Sequence, residues 1–328
     1  MCSYIDYYIL VSIAIKSSIE FNITRKSQAD FDADEQVQLV TAGSRTELVS
    51  FGFKTPRNKM SIQRLRGGNI VNTKTGELIA SKKYTTRLDS PKGLKKSLKE
   101  LYWLIAANVF GRKDELLLTL TYKEPFQLDP QQAKRDWRIF YKKHLHPNYP
   151  NVKYIAIFEP QGILHVNPEG KKVPSWHIHV ILLGVESIPK EKLYNWWKFG
   201  KISFINIGKM KREKGINNLA EYFTSYARKL NPEFINDLAL RCAKGEGIDL
   251  LQSKDKQEAK AARLYFYPAK FKIFTHSSGL KKAKRFFLPF KEVNQTILGE
   301  LISSSTVIVK DPNGKKLNEY KRLVFEHN

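Results

Sequence analysis

The sequence predicts an α+β fold in which a split βαβ antiparallel sheet carries helices on one face. Three observations lead to this prediction. Apolar β-type runs and amphipathic helical segments follow one another in the order β-α-β-β-α-β between residues 115 and 208. A further helical segment follows the last strand. The chain has 328 residues, enough to bury a large core, and its 42% hydrophobic and 12% aromatic content is typical of a globular protein.

The first half of this pattern holds three strands and one helix. The apolar run ELLLTLTY (115–122) predicts the first strand. Asp129 and Pro130 then begin a helix, because aspartate caps a helix N-terminus and proline is tolerated in the first turn. The runs VKYIAIFE (152–159) and WHIHVILLG (176–184) predict the second and third strands.

The second half adds a helix, a strand and a final helix. The segment PKEKLYNWWKFG (189–200) predicts a short helix that ends at a glycine, and ISFINIG (202–208) predicts the fourth strand. The segment GINNLAEYFTSYARKL (215–230) predicts a helix, because its apolar residues recur at helical spacing. These residues are Leu219, Tyr222, Phe223, Tyr226 and Leu230.

The charge of the chain indicates a polyanionic partner. With 56 Lys and Arg against 32 Asp and Glu, the formal net charge is +24. Such a protein attracts nucleic acid, although a merely basic surface or one that contacts anionic lipid has the same composition. The two cysteines, Cys2 and Cys242, are too few for a disulfide framework or a cysteine-based zinc site, which fits a reducing compartment. The apolar start (1–18) predicts a strand rather than a membrane span or a secretory leader, so we expect a soluble intracellular protein.

Composition divides the chain into three predicted parts. Residues 1–100 form an N-terminal extension, 101–285 hold the sheet domain, and 286–328 form a C-terminal extension. Within the first part, the segment 54–99 carries thirteen Lys and Arg against two acids. This basic segment is a solvated surface or a flexible arm, or it follows a phosphate backbone. In the last case its deletion should flatten the salt dependence of nucleic-acid binding.

Two patterns stand out toward the C-terminus. The segment ARLYFYPAKFKIFTH (262–276) has a β-rich composition. The segment STVIVKDPNGKKL predicts a hairpin around Asn313 and Gly314, because Asn-Gly between apolar alternations is a common hairpin turn.

The histidine pair in WHIHV raises the question of a metal site. His177 and His179 are two apart on a predicted strand, so both side chains lie on one face while Ile178 and Val180 lie on the other. Two imidazoles on one face suit a divalent cation, although most such pairs in strands are ordinary polar positions on a β surface. Glu159, at the end of the preceding strand, is the nearest candidate carboxylate, or else a strand-end charge that faces water. Two histidines and a carboxylate form a mixed N/O site able to take Mg²⁺ or Mn²⁺.

The last predicted helix carries two candidate nucleophiles. Tyr222 and Tyr226 are four residues apart, so they lie one turn apart on one face, and Lys229 neighbours Tyr226. A cationic neighbour or a metal-polarised phosphate eases attack by a phenol, whose ordinary pKa is near 10. The alternative is that both tyrosines are core aromatics on an amphipathic face.

Taken together in their order, these motifs resemble the rolling-circle replication initiators of the HUH (His-hydrophobe-His) endonuclease superfamily, in particular the replication-associated proteins of plasmids and small phages. The matching motifs are LTLTY (118–122), the His177-Ile178-His179 strand and YFTSYARK (222–229). KYIAIFEPQ is similar to the family's strand that ends in a metal-binding glutamate, here Glu159. FKIFTHSSGLKK (271–282) resembles the basic tail that often follows the tyrosine helix.

The resemblance implies an activity. A tyrosine attacks a phosphodiester in single-stranded or hairpin origin DNA, becomes linked to the 5′-phosphate and leaves a free 3′-hydroxyl as a primer. His177, His179 and Glu159 would hold Mg²⁺ or Mn²⁺. Tyr226 would be the primary nucleophile with Lys229 assisting it, and Tyr222 a second one. A host helicase and polymerase would be partners in the bacterial cytosol, since no Walker-type loop is apparent.

The chain departs from the family at two points. Ser225 stands three residues after the first tyrosine, at the position where the family has a lysine. The segment between Glu159 and the histidines is long where close relatives have a tight turn, and it predicts an extended hairpin with Pro168, Glu169 and Gly170 at its tip. This hairpin makes His165 a weaker ligand candidate.

Two other functional classes fit parts of the pattern. A transposase or mobilisation relaxase shares the cleavage chemistry and differs in the DNA that it recognises. A non-catalytic nucleic-acid-binding protein with an RRM-like sheet would bind through basic residues and stacked aromatics alone. Alanine at Tyr226 would leave the function of such a binding protein largely intact.

Overall fold

The structure is a computed structural model of the full chain. It describes residues 22–51, 62–65, 69–73, 75–79, 85–88, 90–214, 219–228, 237–238, 240–241, 244, 246, 249, 253–254, 256–294, 298–311 and 313–327. The chain forms two compact units. One unit holds chiefly residues 86–284, and the other holds segments of 9–40, 46–85 and 285–328. The domain boundaries predicted at residues 100 and 285 stay predictions.

The described elements are numbered in chain order. The strands are β1 (Asn22–Lys26), β2 (Gln36–Ala42), β3 (Arg45–Phe51), β4 (Ile62–Arg64), β5 (Ile70–Asn72), β6 (Leu78–Ile79), β7 (Glu115–Leu120), β8 (Lys153–Val166), β9 (Lys172–Leu183), β10 (Ile202–Asn206), β11 (Phe274–His276), β12 (Lys284–Pro289), β13 (Glu300–Lys310) and β14 (Lys316–Glu326). The helices are α1 (Pro91–Ala106), α2 (Pro130–Phe140), α3 (Lys190–Trp196), α4 (Ile207–Lys214), α5 (Leu219–Arg228) and α6 (Lys256–Ala262).

The central sheet has the strand order β10-β7-β9-β8-β11, and its paired strands are antiparallel. The chain passes through β7, α2, β8, β9, α3 and β10 in turn, so the α+β class and the split βαβ order are confirmed. Asp129 caps α2 as the sequence predicts, because its carboxylate accepts hydrogen bonds from the backbone N–H groups of Gln131 and Gln132.

One face of this sheet packs against α2 and α3. Leu118 of β7, Phe158 of β8 and Ile178 of β9 are fully buried there with Trp137 of α2 and Leu193 of α3. Alternate residues of one strand therefore point to this core, as the spacing of WHIHV predicts.

The second face carries helices too, which corrects the expectation of helices on one face only. Leu101 and Ile105 of α1 form a second core with Ile181 of β9, together with Ile207 of α4 and Leu219 of α5. The sequence did not predict this layer, because α1 precedes the matching motifs and α4 begins within the last two residues of the predicted strand segment 202–208. That strand ends at Asn206, whose side-chain oxygen accepts a hydrogen bond from the backbone N–H of Lys209 and caps α4.

The β-rich prediction for 262–276 is mostly wrong. Helix α6 ends at Ala262, a 3₁₀ turn follows at Arg263–Phe266, and only Phe274–His276 is a strand. The aromatic residues that suggest a strand, among them Tyr267 and Phe271, instead pack into the core on the α2 side of the sheet.

The second unit contains a six-stranded sheet of order β1-β13-β14-β3-β2-β12 and a three-stranded sheet of order β4-β5-β6. β13 and β14 form the hairpin that the sequence predicts at Asn313 and Gly314. Gly314 has a φ of 84°, a conformation that favours glycine. The predicted strand at residues 1–18 lies outside the described residues. Among those that are described, no helix has the length and apolar character needed to cross a membrane.

Candidate metal centre

The register of β8 and β9 brings three potential metal ligands together. Glu159 of β8 lies directly opposite His177, and Ile157 lies opposite His179. Because Glu159, His177 and His179 occupy alternate positions along the paired strands, their side chains converge on one face of the sheet. The long segment between the strands does not disturb this pairing.

The three side chains converge on one point. Nε2 of His177 and Nε2 of His179 are 2.9 Å apart. Oε2 of Glu159 lies 3.5 Å from Nε2 of His177 and 3.4 Å from Nε2 of His179. All three are mostly buried, with side-chain exposures of 10% for His177, 14% for His179 and 19% for Glu159. Among the described residues, they form the one group of His, Cys, Asp or Glu that could hold a metal ion.

The donor set fits a small divalent cation. Ligands about 2.1 Å from such an ion in adjacent octahedral positions are about 3 Å apart. The three donor–donor distances lie close to that value. Two imidazole nitrogens and a single carboxylate oxygen are compatible with a divalent metal ion and leave coordination positions open to other ligands.

The directions of the pKa shifts of Glu159 and His177 suit metal binding at neutral pH. Burial disfavours the charged carboxylate of Glu159, but hydrogen bonds and charge interactions with His177 and His179 outweigh burial and hold its pKa well below the usual value. Burial lowers the pKa of His177, against the opposing effect of Glu159. An ionised carboxylate and a neutral imidazole are the forms that bind a metal.

Two further side chains orient the group. Oγ1 of Thr119 on β7 lies 3.0 Å from Nδ1 of His179, which it faces across the strand pair. The guanidinium Nη1 of Arg263 donates a hydrogen bond to Oε1 of Glu159 at 2.7 Å. Thr119 belongs to the LTLTY motif, but the sequence alone did not indicate a role for it. Nothing in the sequence marks Arg263, because its position depends on how the chain folds after α6.

A cavity of about 470 Å³ opens beside the three ligands. Its lining includes Tyr222 and Phe223 of α5 together with Ile163 and Arg263. The Phe223 ring lies 5.2 Å from the His179 ring, and Tyr222 packs edge-on against Phe223. The structure therefore brings Tyr222, one of the two predicted nucleophiles, to the cavity beside the three candidate metal ligands.

The other predicted catalytic residues are described only in part. Tyr226 lies in α5, one turn after Tyr222, but its side chain is outside the described part of the structure. Lys229 lies outside the described residues altogether.

The extended hairpin predicted after Glu159 is present. β8 and β9 stay paired as far as Val166 and Lys172, with Gly170 in the turn at a φ of 75°. His165, the weaker ligand candidate, does not join the group. Its ring stacks on Phe126 with centroids 3.9 Å apart.

The same stretch of chain matches a known family. Residues 115–231 match the family model described as Replication-associated protein ORF2. The match supports a replication initiator protein. The matched segment begins with β7 and extends just beyond α5, so it includes Glu159, both histidines and both tyrosines. Arg263 lies outside it. No curated protein and no solved structure matches the chain.

Proposed function

We propose that this protein is a metal-dependent DNA endonuclease and strand transferase of the HUH type that initiates rolling-circle replication. The observation that carries the proposal is the convergence of Glu159, His177 and His179 on a cavity shared with Tyr222, inside a segment that matches a replication-associated family. The net charge of +24 supports DNA as the substrate.

The proposed reaction is a transesterification on single-stranded or hairpin origin DNA. The phenol oxygen of Tyr222 or Tyr226 forms a bond to the phosphorus and loses its proton. The bond from phosphorus to the 3′-oxygen breaks, and that oxygen takes up a proton as a free 3′-hydroxyl. The 5′-phosphate stays linked to tyrosine, so a 3′-hydroxyl can reverse the step and join strands.

The ligand residues contribute through position and charge. When bound, Mg²⁺ or Mn²⁺ would polarise the scissile phosphate and stabilise the charge that develops on it. Glu159, His177 and His179 would hold the ion at the sheet end of the cavity. Helix α5 presents Tyr222 to the same cavity, and Tyr226 follows one turn later.

Spacing and structure favour different tyrosines. The neighbouring Lys229 favours Tyr226 as the primary nucleophile. The position of the Tyr222 ring, beside Phe223 and the candidate metal ligands, instead favours Tyr222 as the nucleophile. A host helicase and polymerase are the proposed partners in copying the nicked strand.

The test is a covalent-adduct assay. Purified protein is incubated with labelled single-stranded oligonucleotides that cover the encoding DNA and its flanks, with Mn²⁺ or with EDTA, and run on a denaturing gel. We expect an adduct with Mn²⁺ and none with EDTA. Its loss in Tyr226→Phe or in Tyr222→Phe identifies the nucleophile, and Tyr194→Phe, at an exposed tyrosine outside the cavity, is the control. Salt-sensitive DNA binding without any adduct would instead identify a non-catalytic binding protein.

A further inference from the structure

Arg263 is held in place by a packed turn. It begins the 3₁₀ turn that follows α6, in which Leu264 is buried. Just after the turn, the hydroxyl of Tyr267 donates a buried hydrogen bond of 2.7 Å to the backbone carbonyl of Phe158. Because Phe158 directly precedes Glu159 on β8, this hydrogen bond holds the end of the turn close to the candidate metal ligands.

The two carboxylate oxygens of Glu159 have different partners. Nη1 of Arg263 bonds Oε1, while Oε2 faces the two histidines. This one contact with Glu159 occupies one of the five N–H donors of an arginine. Nε is buried and has no hydrogen-bond partner among the described residues. The side chain is 26% exposed and lines the cavity.

The charges at this end of the cavity favour an anion. The positive charge of Arg263 balances the negative charge of Glu159. A divalent ion held by Glu159 and the histidines would therefore leave this end of the cavity with a net positive charge equal to that of the ion. A planar guanidinium with free donors is well suited to the oxygens of a phosphate.

We propose that Arg263 forms a phosphate-binding subsite for the DNA backbone next to the metal ligands. The inference rests on the proposed function, since the phosphodiester in question is the one to be cleaved. It extends that function to a residue beyond the matched segment, supplied by the turn after α6.

The test separates phosphate binding from metal binding. Wild type, Arg263→Gln and Arg263→Lys are compared as full-length proteins, with Arg135→Gln as a matched loss of charge on the exposed surface of α2. Binding of labelled single-stranded DNA is measured in EDTA over a range of salt concentrations. Mn²⁺ affinity is measured by calorimetry without DNA, and circular dichroism checks that each variant folds.

Arg263→Gln should weaken metal-free DNA binding about tenfold and reduce the salt slope by about 0.7, the value for one phosphate contact on a single strand. Loss of the hydrogen bond to Glu159 lowers Mn²⁺ affinity and loss of the positive charge raises it, so the Mn²⁺ affinity of Arg263→Gln should stay within about threefold of wild type. Arg263→Lys, which keeps the charge, should recover most of the salt slope.

Two outcomes would overturn the inference. One is an unchanged salt slope in Arg263→Gln. The other is a loss of Mn²⁺ affinity with normal DNA binding, which would leave Arg263 with the sole task of positioning Glu159. If wild type shows no adduct and no Mn²⁺ binding while Arg263→Gln still loses DNA affinity, the proposed nuclease function fails and the phosphate subsite stands.

Discussion

The hydroxyl oxygen of Thr119 on β7 lies 3.0 Å from Nδ1 of His179 on β9. If His179 binds a metal through Nε2, its Nδ1 carries the ring proton and donates a hydrogen bond to the Thr119 hydroxyl oxygen. Thr119 thus fixes the ring orientation and the tautomer that ligation requires. The contact therefore links the LTLTY strand directly to one of the candidate metal ligands.

Replacing Thr119 by valine should weaken Mn²⁺ binding. The substitution keeps the branched shape but removes the partner of Nδ1, and the loss of such an outer contact costs about 10- to 100-fold in metal affinity. Calorimetric titration of the DNA-free protein measures the change. Thr121→Val is the matched control, because Thr121 lies on the same segment and bonds the carbonyl of Lys201. Equal Mn²⁺ affinity in wild type and Thr119→Val would show that Thr119 does not orient the ligand.

Replacing Glu159 by glutamine should remove most of the metal affinity. The side chain keeps its size, but the only negative charge of the ligand group is lost, and we expect Mn²⁺ affinity to fall about 100-fold. Metal-free DNA binding should be retained, so the adduct disappears at unchanged DNA affinity. Glu186→Gln, at an exposed glutamate paired with Lys113, is the control. An adduct of normal yield from Glu159→Gln at low Mn²⁺ would remove Glu159 from the ligand set.

Tyr122, the last residue of the LTLTY motif, has a structural role. Its hydroxyl donates a buried hydrogen bond of 2.9 Å to Asp136 of α2, and burial together with that carboxylate raises the pKa of Tyr122. Tyr122→Phe leaves a buried carboxylate oxygen without this donor and should cost about 1–3 kcal/mol in the free energy of unfolding. Urea denaturation measures the change. Tyr194→Phe, whose more exposed hydroxyl bonds the carbonyl of Ile202 at 3.3 Å, should cost less than about 0.5 kcal/mol.

The second unit should lose stability in acid through one ion pair. Lys321 Nζ donates to Oε2 of Glu35 at 2.8 Å, and both side chains are mostly buried. Burial opposes ionisation of Glu35, but hydrogen bonds with Lys321, Ser50 and the Asp32 backbone outweigh it, so the pKa of Glu35 is lowered. The pair therefore contributes to the free energy of unfolding at pH values above 4.5, the ordinary pKa of glutamate. This contribution is lost as the pH falls through the lower pKa that Glu35 has in the folded state.

The measurement compares wild type with Glu35→Gln by urea denaturation at several pH values. The difference in the free energy of unfolding should be largest near neutral pH and should shrink as the pH falls below about 4.5. Asp34→Asn removes an exposed carboxylate that pairs with Lys291 and should change little at any of these pH values. A Glu35→Gln difference that does not vary with pH would contradict the assignment.

The sequence by itself determined the features that depend on near neighbours in the chain. The two-residue period of a strand placed His177 and His179 on one face, and the cap at Asp129 marked the start of α2. The Asn-Gly turn predicted the hairpin of β13 and β14. The order of the strands and helices of the central sheet followed from such local periodicities, because each is a property of a few consecutive residues.

Only the tertiary structure decided which distant residues meet. Glu159 is paired with His177 by the register of β8 and β9, and a slip of one residue would have turned its side chain to the other face. Thr119 reaches His179 from β7, and Arg263 reaches Glu159 across more than a hundred residues of chain. The packing of helices α1 and α4 on the second face of the sheet is likewise a contact between distant segments of the chain. Such contacts are fixed by packing between segments far apart in sequence, which no local pattern encodes.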